Sequence, residues 1–402
     1  MLVPTRRNRS DQFIQSTALV NNRLIHLDCL RGLAALMVCI EHLRAFVMIP
    51  YNQVKDPGIL VRIFYLATGL GHQAVMIFFV LSGFLVGGSV IAAQQKNKWT
   101  WRSYFMRRLS RLWVVLIPAL LLTLFWDHQG RQLAPEAYNG VYRDHYCSGP
   151  ATDSPADLRP MTFLGNVFFL QTIALPCLGT NGPLWSLANE FWYYLLFPCL
   201  LFACVAHGRW LERMLCLAVA GVVLAWLPSF ILEGGIIWLM GAAAFFVTQK
   251  PLVRKWAIRS IWLAGSGALA LGLLVLSRTR QPIPGEDLLL GGAFAILVIG
   301  LAVRPNPTGI YASIAAGASE FSYTLYLVHF PLLAFFFFVV FQGRQIPPNL
   351  YSGILFLVWL LVIIIYAAVL WWVFERNTDR VRKRLEANLP WRASGNAIEW
   401  KK

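Results

Sequence analysis

The chain has 402 residues, 57% of them hydrophobic and 13% charged, against about 25% charged in a soluble domain, which excludes an ordinary water-soluble globule. The formal net charge of +16 would point to nucleic acid in a soluble protein. Here the bases sit in short loops beside apolar runs, where they set membrane orientation, so nucleic-acid binding is excluded as well.

Residues 1–28 carry Arg6, Arg7, Arg9 and Arg23 among polar residues. They lack the short apolar core and small-residue cleavage site of a signal peptide and read as a cytoplasmic N-terminal segment. Beyond them come apolar runs of about 20 residues, the length a helix needs to cross about 30 Å of hydrocarbon. The expected fold is all-α: a polytopic bundle of about ten transmembrane helices near 30–50, 73–93, 109–127, 184–206, 211–228, 231–248, 257–277, 287–303, 320–341 and 352–374. At Pro228 and Ser229 two spans meet almost without a loop, a junction that also suits one broken helix.

Most of the 35 bases, with both termini, fall on one side, which is therefore expected to be cytoplasmic. The opposite side carries one long polar loop, 128–183, with Tyr138, Tyr142, Tyr146, Asp144, Asp153 and Asp157. Such residues can stack on and hydrogen-bond a sugar, or simply fold into a cap. Cys147 and Cys177 are that loop's cysteines and can pair if the compartment is oxidising; the other five lie in or beside spans, where a buried apolar thiol is the default. A membrane domain over 29–375 is followed by a basic tail, 376–402, whose Arg380, Arg382, Lys383, Arg384, Trp391 and Trp400 suit anionic lipid.

Charge at the bilayer centre costs about 2.5 to 3.5 kcal/mol even on insertion scales, so intramembrane ionisable groups are functional candidates. These are Glu41 and His42 in the first span, Glu190 in the fourth and His329 in the ninth, with Ser82 as an uncharged companion in the second. Helical rise puts His42 about 16 Å inward of Arg31, Glu190 about 10 Å from the outer face, and Ser82 and His329 about 14 Å from their helix starts. A shared depth is what one buried site produces. Eleven residues also return Arg31 and His42 to one helix face within about 20°. Arg108 and Arg111, beside Arg107, form a second basic cluster suited to phosphate oxygens, or serve only as positive-inside flanks.

In FFVLSGFLVGGS (Phe78 to Ser89), Ser82, Gly83, Gly87 and Gly88 either admit a close helix neighbour or leave room for a slender ligand arm. In PLWSLANEFWYY, Ser186 and Glu190 share a face one turn apart, with Tyr193 and Tyr194 a further turn along. A buried carboxylate near a histidine can hold its tautomer, which pairs Glu190 with His42. His329, just before Pro331, suits packing or the site equally.

These strings resemble acyltransferase family 3, multi-span enzymes that acylate sugars of bacterial surface polysaccharides and some lipid and antibiotic acceptors. LDCLRGLAALMVCIEHL (Leu27 to Leu43) is similar to the family's arginine, ten residues, histidine signature. FFVLSGFL, RLSR, PLWSLANEFWYY and SYTLYLVHFP are similar to its later motifs, so the resemblance runs from about residue 24 to 385. It implies His42, Arg31 and Glu190 as catalytic, and Arg108 and Arg111, with Ser82 and Gly83, at the coenzyme. Tyr193, His329 and Ser186 complete the site as acceptor contacts. The implied donor is acyl coenzyme A, acetyl foremost, without a metal. The implied acceptor is a carbohydrate or lipid-linked sugar, and the place a bacterial inner membrane. Two departures, Cys29 for the usual glycine and Asn377 for a common proline, touch motif edges only. No esterase-like domain follows the last span, so the membrane domain is expected to work alone or with a separate partner. The alternative is a proton-coupled secondary transporter, which the absence of a visible inverted repeat disfavours.

Overall fold

The structure, a computed structural model, describes residues 23–141, 148–205, 210–279, 281 and 283–388. Among these it is helical without a strand, apart from isolated bridges such as Met48 with Ile346. In chain order the helices are α1 (Ile25–Val47), α2 (Ile59–Ala67), α3 (Gly71–Ser82), α4 (Gly88–Gln95), α5 (Trp101–Leu133), α6 (Pro135–Tyr138), α7 (Pro160–Val167), α8 (Trp185–Val205) and α9 (Trp210–Trp226). They continue with α10 (Ser229–Thr248), α11 (Pro251–Ala257), α12 (Ser260–Thr279), α13 (Glu286–Ala302), α14 (Ile310–Glu320), α15 (Ser322–Val339), α16 (Leu350–Val373) and α17 (Thr378–Asn388). A π-helical turn, Gly83–Gly87, joins α3 to α4.

Seven segments of the described residues are long and apolar enough to cross a membrane: Ile59–Gln95, Trp101–Leu133, Gly182–Cys204, Ser229–Thr248, Ser260–Thr279, Ser322–Val339 and Leu350–Asn388. The protein is thus an integral membrane protein. The three other spans expected from sequence fall on α1, which carries Asp28, Arg31, Glu41 and Arg44, and on α9 and α13, of 17 residues each. At Pro228 the chain forms two helices: Pro228 is extended (φ −59°, ψ 151°) and caps α10.

α1 tolerates its charges because protein surrounds it: it packs against α3, α13, α14, α15 and α16. α15 is buried along most of its length and also packs on α5. Inside it, Pro331 has no N–H to give, which leaves the Leu327 carbonyl without its helical partner. The Asn181 amide fills that place, donating at 2.9 Å.

The loop between α5 and α8 is pinned to the far end of α5. Asp127, fully buried, accepts from the Thr180 amide (2.6 Å) and hydroxyl (2.8 Å). Tyr138, expected as a sugar-stacking candidate, is buried edge-on against Phe338. Asp157 accepts from the Arg159 side chain and from Thr162, and the Arg159 guanidinium holds its carboxyl down to about 2. Tyr142, Asp144, Tyr146 and Cys147, and with Cys147 the expected pairing to Cys177, lie outside the described residues, as do Trp391, Trp400 and the first 22 residues.

Candidate active site

The site begins with two arginines held near the starts of their helices. Arg31, two turns into α1, donates through Nη2 to Asp28 Oδ1 at 3.1 Å, one turn back, and contacts Ser319 Oγ of α14. Ser319 in turn donates to Asp28 at 2.8 Å, and Arg23 Nε donates to its other oxygen at 2.6 Å. Arg31 is thus locked by a carboxylate that is itself saturated, while its Nε is buried without a partner. On α5, Arg108 lies 5.8 Å and 5.9 Å from the Tyr104 and Tyr194 ring centres and reaches Ser89 Oγ only at 3.4 Å. Its Nε also lacks a partner. Arg111, a turn further on, is exposed and hydrogen-bonds no described residue.

Both arginines and Arg111 line one cavity of about 130 Å³. Its walls are mostly apolar, from Phe78, Phe79, Leu81, Leu85, Val86, Leu112 and Leu187. Polar groups are concentrated on the α8 and α15 sides, where Ser186, Glu190, Tyr194, Tyr323 and Tyr326 face it, with Ser82 on α3. One hydrogen-bonded chain runs through these. Trp238 Nε1 donates to Ser82 Oγ (3.0 Å), Ser82 Oγ meets Tyr194 OH (3.1 Å), and Tyr194 OH donates to Glu190 Oε2 (3.2 Å). Because an indole only donates and a carboxylate only accepts, the protons in this chain all point towards Glu190. Ser186 Oγ meets Tyr326 OH at 2.8 Å, closing the inner end.

His42 is not part of that lining. It lies on α1 about 16 Å along from Arg31 and only five residues before the helix ends at Val47. Its Nδ1 is 2.8 Å from Nε2 of His329, the rings stacked at 5.1 Å and 14°, with Phe330 edge-on at 5.0 Å. Tyr326, one turn before His329, stands between: it faces the cavity on one side, and its ring centre is 6.3 Å from that of His329 on the other.

The candidate residues therefore fall into two clusters where one level was expected. Arg31, Ser82, Arg108, Arg111, Ser186 and Glu190 meet at the cavity; His42 and His329 meet beyond it. Glu190 does not bond to His42; its partner is Tyr194. Two candidates face elsewhere. The Tyr193 hydroxyl donates to the Ile231 carbonyl at 2.5 Å, packing α8 against α10. A Cβ on Gly83 would run into the Trp238 carbonyl, so this glycine serves the close approach of α10. Asp28 and Tyr326, which the sequence reading does not single out, complete the geometry together with Tyr194, which shares a four-residue spacing with Ser186 and Glu190.

A family model described as an acyltransferase domain matches residues 24–376. A protein of Haemophilus influenzae, described as uncharacterized, is 30% identical over 129 residues, 31% of this chain and 47% of its own length. The chain thus matches about half the length of that relative. No solved structure matches.

Proposed function

The chain belongs to this acyltransferase family, and from that premise we propose that it passes an acyl group, acetyl foremost, from cytoplasmic acyl coenzyme A to a hydroxyl of a carbohydrate acceptor such as O-antigen, exopolysaccharide or a lipid-linked sugar. The observation that carries this reading is the cavity, which joins three guanidinium groups at one end to apolar walls leading inward. Two of those guanidinium groups have buried nitrogens without partners, Arg31 Nε and Arg108 Nε. A buried unpaired donor costs roughly 1 to 3 kcal/mol, and phosphate oxygens remove that cost while matching the guanidinium fork. The coenzyme's diphosphate is the substrate part that fits there, and its thin pantetheine arm fits between Phe78, Leu85 and Leu112.

His42 is the base. The acceptor O–H gives its proton to the imidazole as its oxygen attacks the thioester carbonyl; the C–S bond breaks, and the thiolate leaves with that proton. Glu190, held by Tyr194, lies inside the donor cavity with Arg108 and Arg111. With α1, α9 and α13 counted as crossings both termini share a side, and the excess of bases there supports the cytoplasmic face of a bacterial inner membrane for the termini and the cavity mouth.

Purified protein in lipid discs, supplied with acetyl coenzyme A and an acceptor sugar, tests the reading. His42→Ala should lower kcat at least about 100-fold, the share a general base supplies. Arg108→Ala should raise the KM for acyl coenzyme A roughly 10- to 100-fold, one charge-assisted contact of about 1.5 to 3 kcal/mol, and leave the acceptor KM unchanged. Normal turnover in the first and normal donor KM in the second would remove both assignments.

A further inference from the structure

The histidine pair admits a deduction that the cavity does not. His329 Nδ1 lies 2.9 Å from the Leu325 carbonyl oxygen. A carbonyl oxygen only accepts, so Nδ1 carries the proton. In a neutral imidazole the other nitrogen, Nε2, is then an acceptor. Nε2 faces His42 Nδ1 at 2.8 Å, and two lone pairs do not meet at that distance, so His42 Nδ1 carries the proton that is shared. What remains on His42 is Nε2 with its lone pair free, and no described residue hydrogen-bonds it.

We propose that His329 is the positioning residue of the transfer reaction: by accepting from His42 Nδ1–H, it locks the imidazole in the tautomer whose Nε2 takes the acceptor's proton. The proposal rests on the reading of His42 as the base. It reassigns to a neutral ring the part that a carboxylate usually plays in a base-orienting pair. The choice is economical for a site enclosed by protein in a membrane, since His329 is fully buried and an ionised group there would need a compensating partner. When His42 Nε2 takes a proton, the cation's Nδ1–H still points at the His329 lone pair, which steadies it until the departing thiolate collects the proton. His329 is anchored in turn by its position on α15. Leu325 is one turn back on the same helix, and Asn181 secures the carbonyl that Pro331 leaves open two residues before His329. The near-parallel His329 ring and the edge contact with Phe330 fix the plane of the His42 ring, and the hydrogen bond from Nδ1 to His329 Nε2 fixes which of its edges faces His329.

Two substitutions separate acceptor from bulk. His329→Leu keeps volume and removes the acceptor; His329→Gln places an amide oxygen near the position of Nε2. In the transfer assay His329→Leu should lower kcat about 100-fold with the KM for acyl coenzyme A unchanged, and His329→Gln should recover at least tenfold of that loss. In histidine-labelled protein, nitrogen NMR should show His42, identified by its loss in His42→Ala, protonated at Nδ1 in the wild type and shifted towards Nε2–H in His329→Leu. A full kcat in His329→Leu beside a dead His42→Ala overturns the positioning role alone. Normal turnover in His42→Ala removes the base and the proposal with it. Should His329→Leu fail to fold, the wild-type spectrum still decides: a His42 protonated at Nε2 with a bare Nδ1 refutes the proposal.

Discussion

Tyr193 and Tyr194 are adjacent on α8 and do different things. The Tyr194 hydroxyl joins Ser82 to Glu190 on the cavity wall, whereas the Tyr193 hydroxyl is spent on the Ile231 carbonyl of a neighbouring helix. Tyr194→Phe should therefore lower kcat/KM for acyl coenzyme A at least several-fold with little change in unfolding temperature. Tyr193→Phe should do the reverse, costing about 1 kcal/mol of stability for one lost hydrogen bond with near-normal kinetics. Kinetics and thermal unfolding of the two variants in the same detergent check this, and equal kinetic losses would contradict it. The sequence held the discriminating signal. Positions 186, 190 and 194 repeat every four residues and so stay on one helix face, while 193 is turned by about 100° from 194. The partnership of His42 with His329 was less legible, because 287 residues separate them and depth along a helix says nothing of rotation about it. Glu190, a carboxylate at a similar estimated depth, was the natural but incorrect partner.

At the scale of elements, the glycines of the second span make sense once α10 is in place. A Cβ on Gly241 would strike the Val80 carbonyl and one on Gly83 the Trp238 carbonyl, so the two backbones touch over a full turn. That approach brings Trp238 to Ser82, and the π-helical turn just after Ser82 keeps the small residues on the contact side, as such turns often do beside functional groups. Gly241→Ala should destabilise the protein by about 1 to 3 kcal/mol through overpacking and, by moving Trp238, lower activity in the same preparation. Gly221→Ala, on α9 where nothing lies within 4 Å of the new methyl group, should leave activity intact and add up to about 1 kcal/mol of helix stability. Thermal unfolding of both, with transfer rates, measures the contrast. Sequence spacing alone left packing and ligand space as alternatives for Gly83, because four-residue spacing of small residues permits either until the facing helix is known. The helices themselves were legible from apolar runs, and the one ambiguous joint was decided by the extended backbone of Pro228.

For the whole molecule, the ends of the bundle can be told apart from contacts alone. Arg31, Arg108 and Ser322, all near the starts of α1, α5 and α15, line one cavity, so these three helices begin at the same end. They also finish together: the Ile346 amide, shortly past α15, donates to the Val47 carbonyl at the end of α1, and Tyr138, just past α5, packs on Phe338 at the end of α15. The long loop therefore leaves α5 at the end opposite the arginines, about 37 Å from Arg108 along the helix, and from there folds back until the Val167 carbonyl accepts from Trp113 Nε1. His42 is about 8 Å from the loop-side end of α1 and about 16 Å from Arg31. An acceptor arriving from the loop side has the shorter path to His42, and a donor held by the arginines has a path set by its extended arm. If the proposed reaction holds, this geometry predicts vectorial acyl transfer: coenzyme A thioester should be consumed at the arginine end, and the acylated hydroxyl should emerge at the loop end. Tyr326 lies between the cavity and His329, where on the proposed reading the two paths would meet. Sealed vesicles of both orientations, given acyl coenzyme A on one side and a membrane-impermeant sugar acceptor on the other, test the prediction. Product should form only when the two are on opposite faces, with the donor at the arginine end. Acylation confined to vesicles that hold donor and acceptor on the same face would mean that both enter by the cavity and that the loop only closes the bundle.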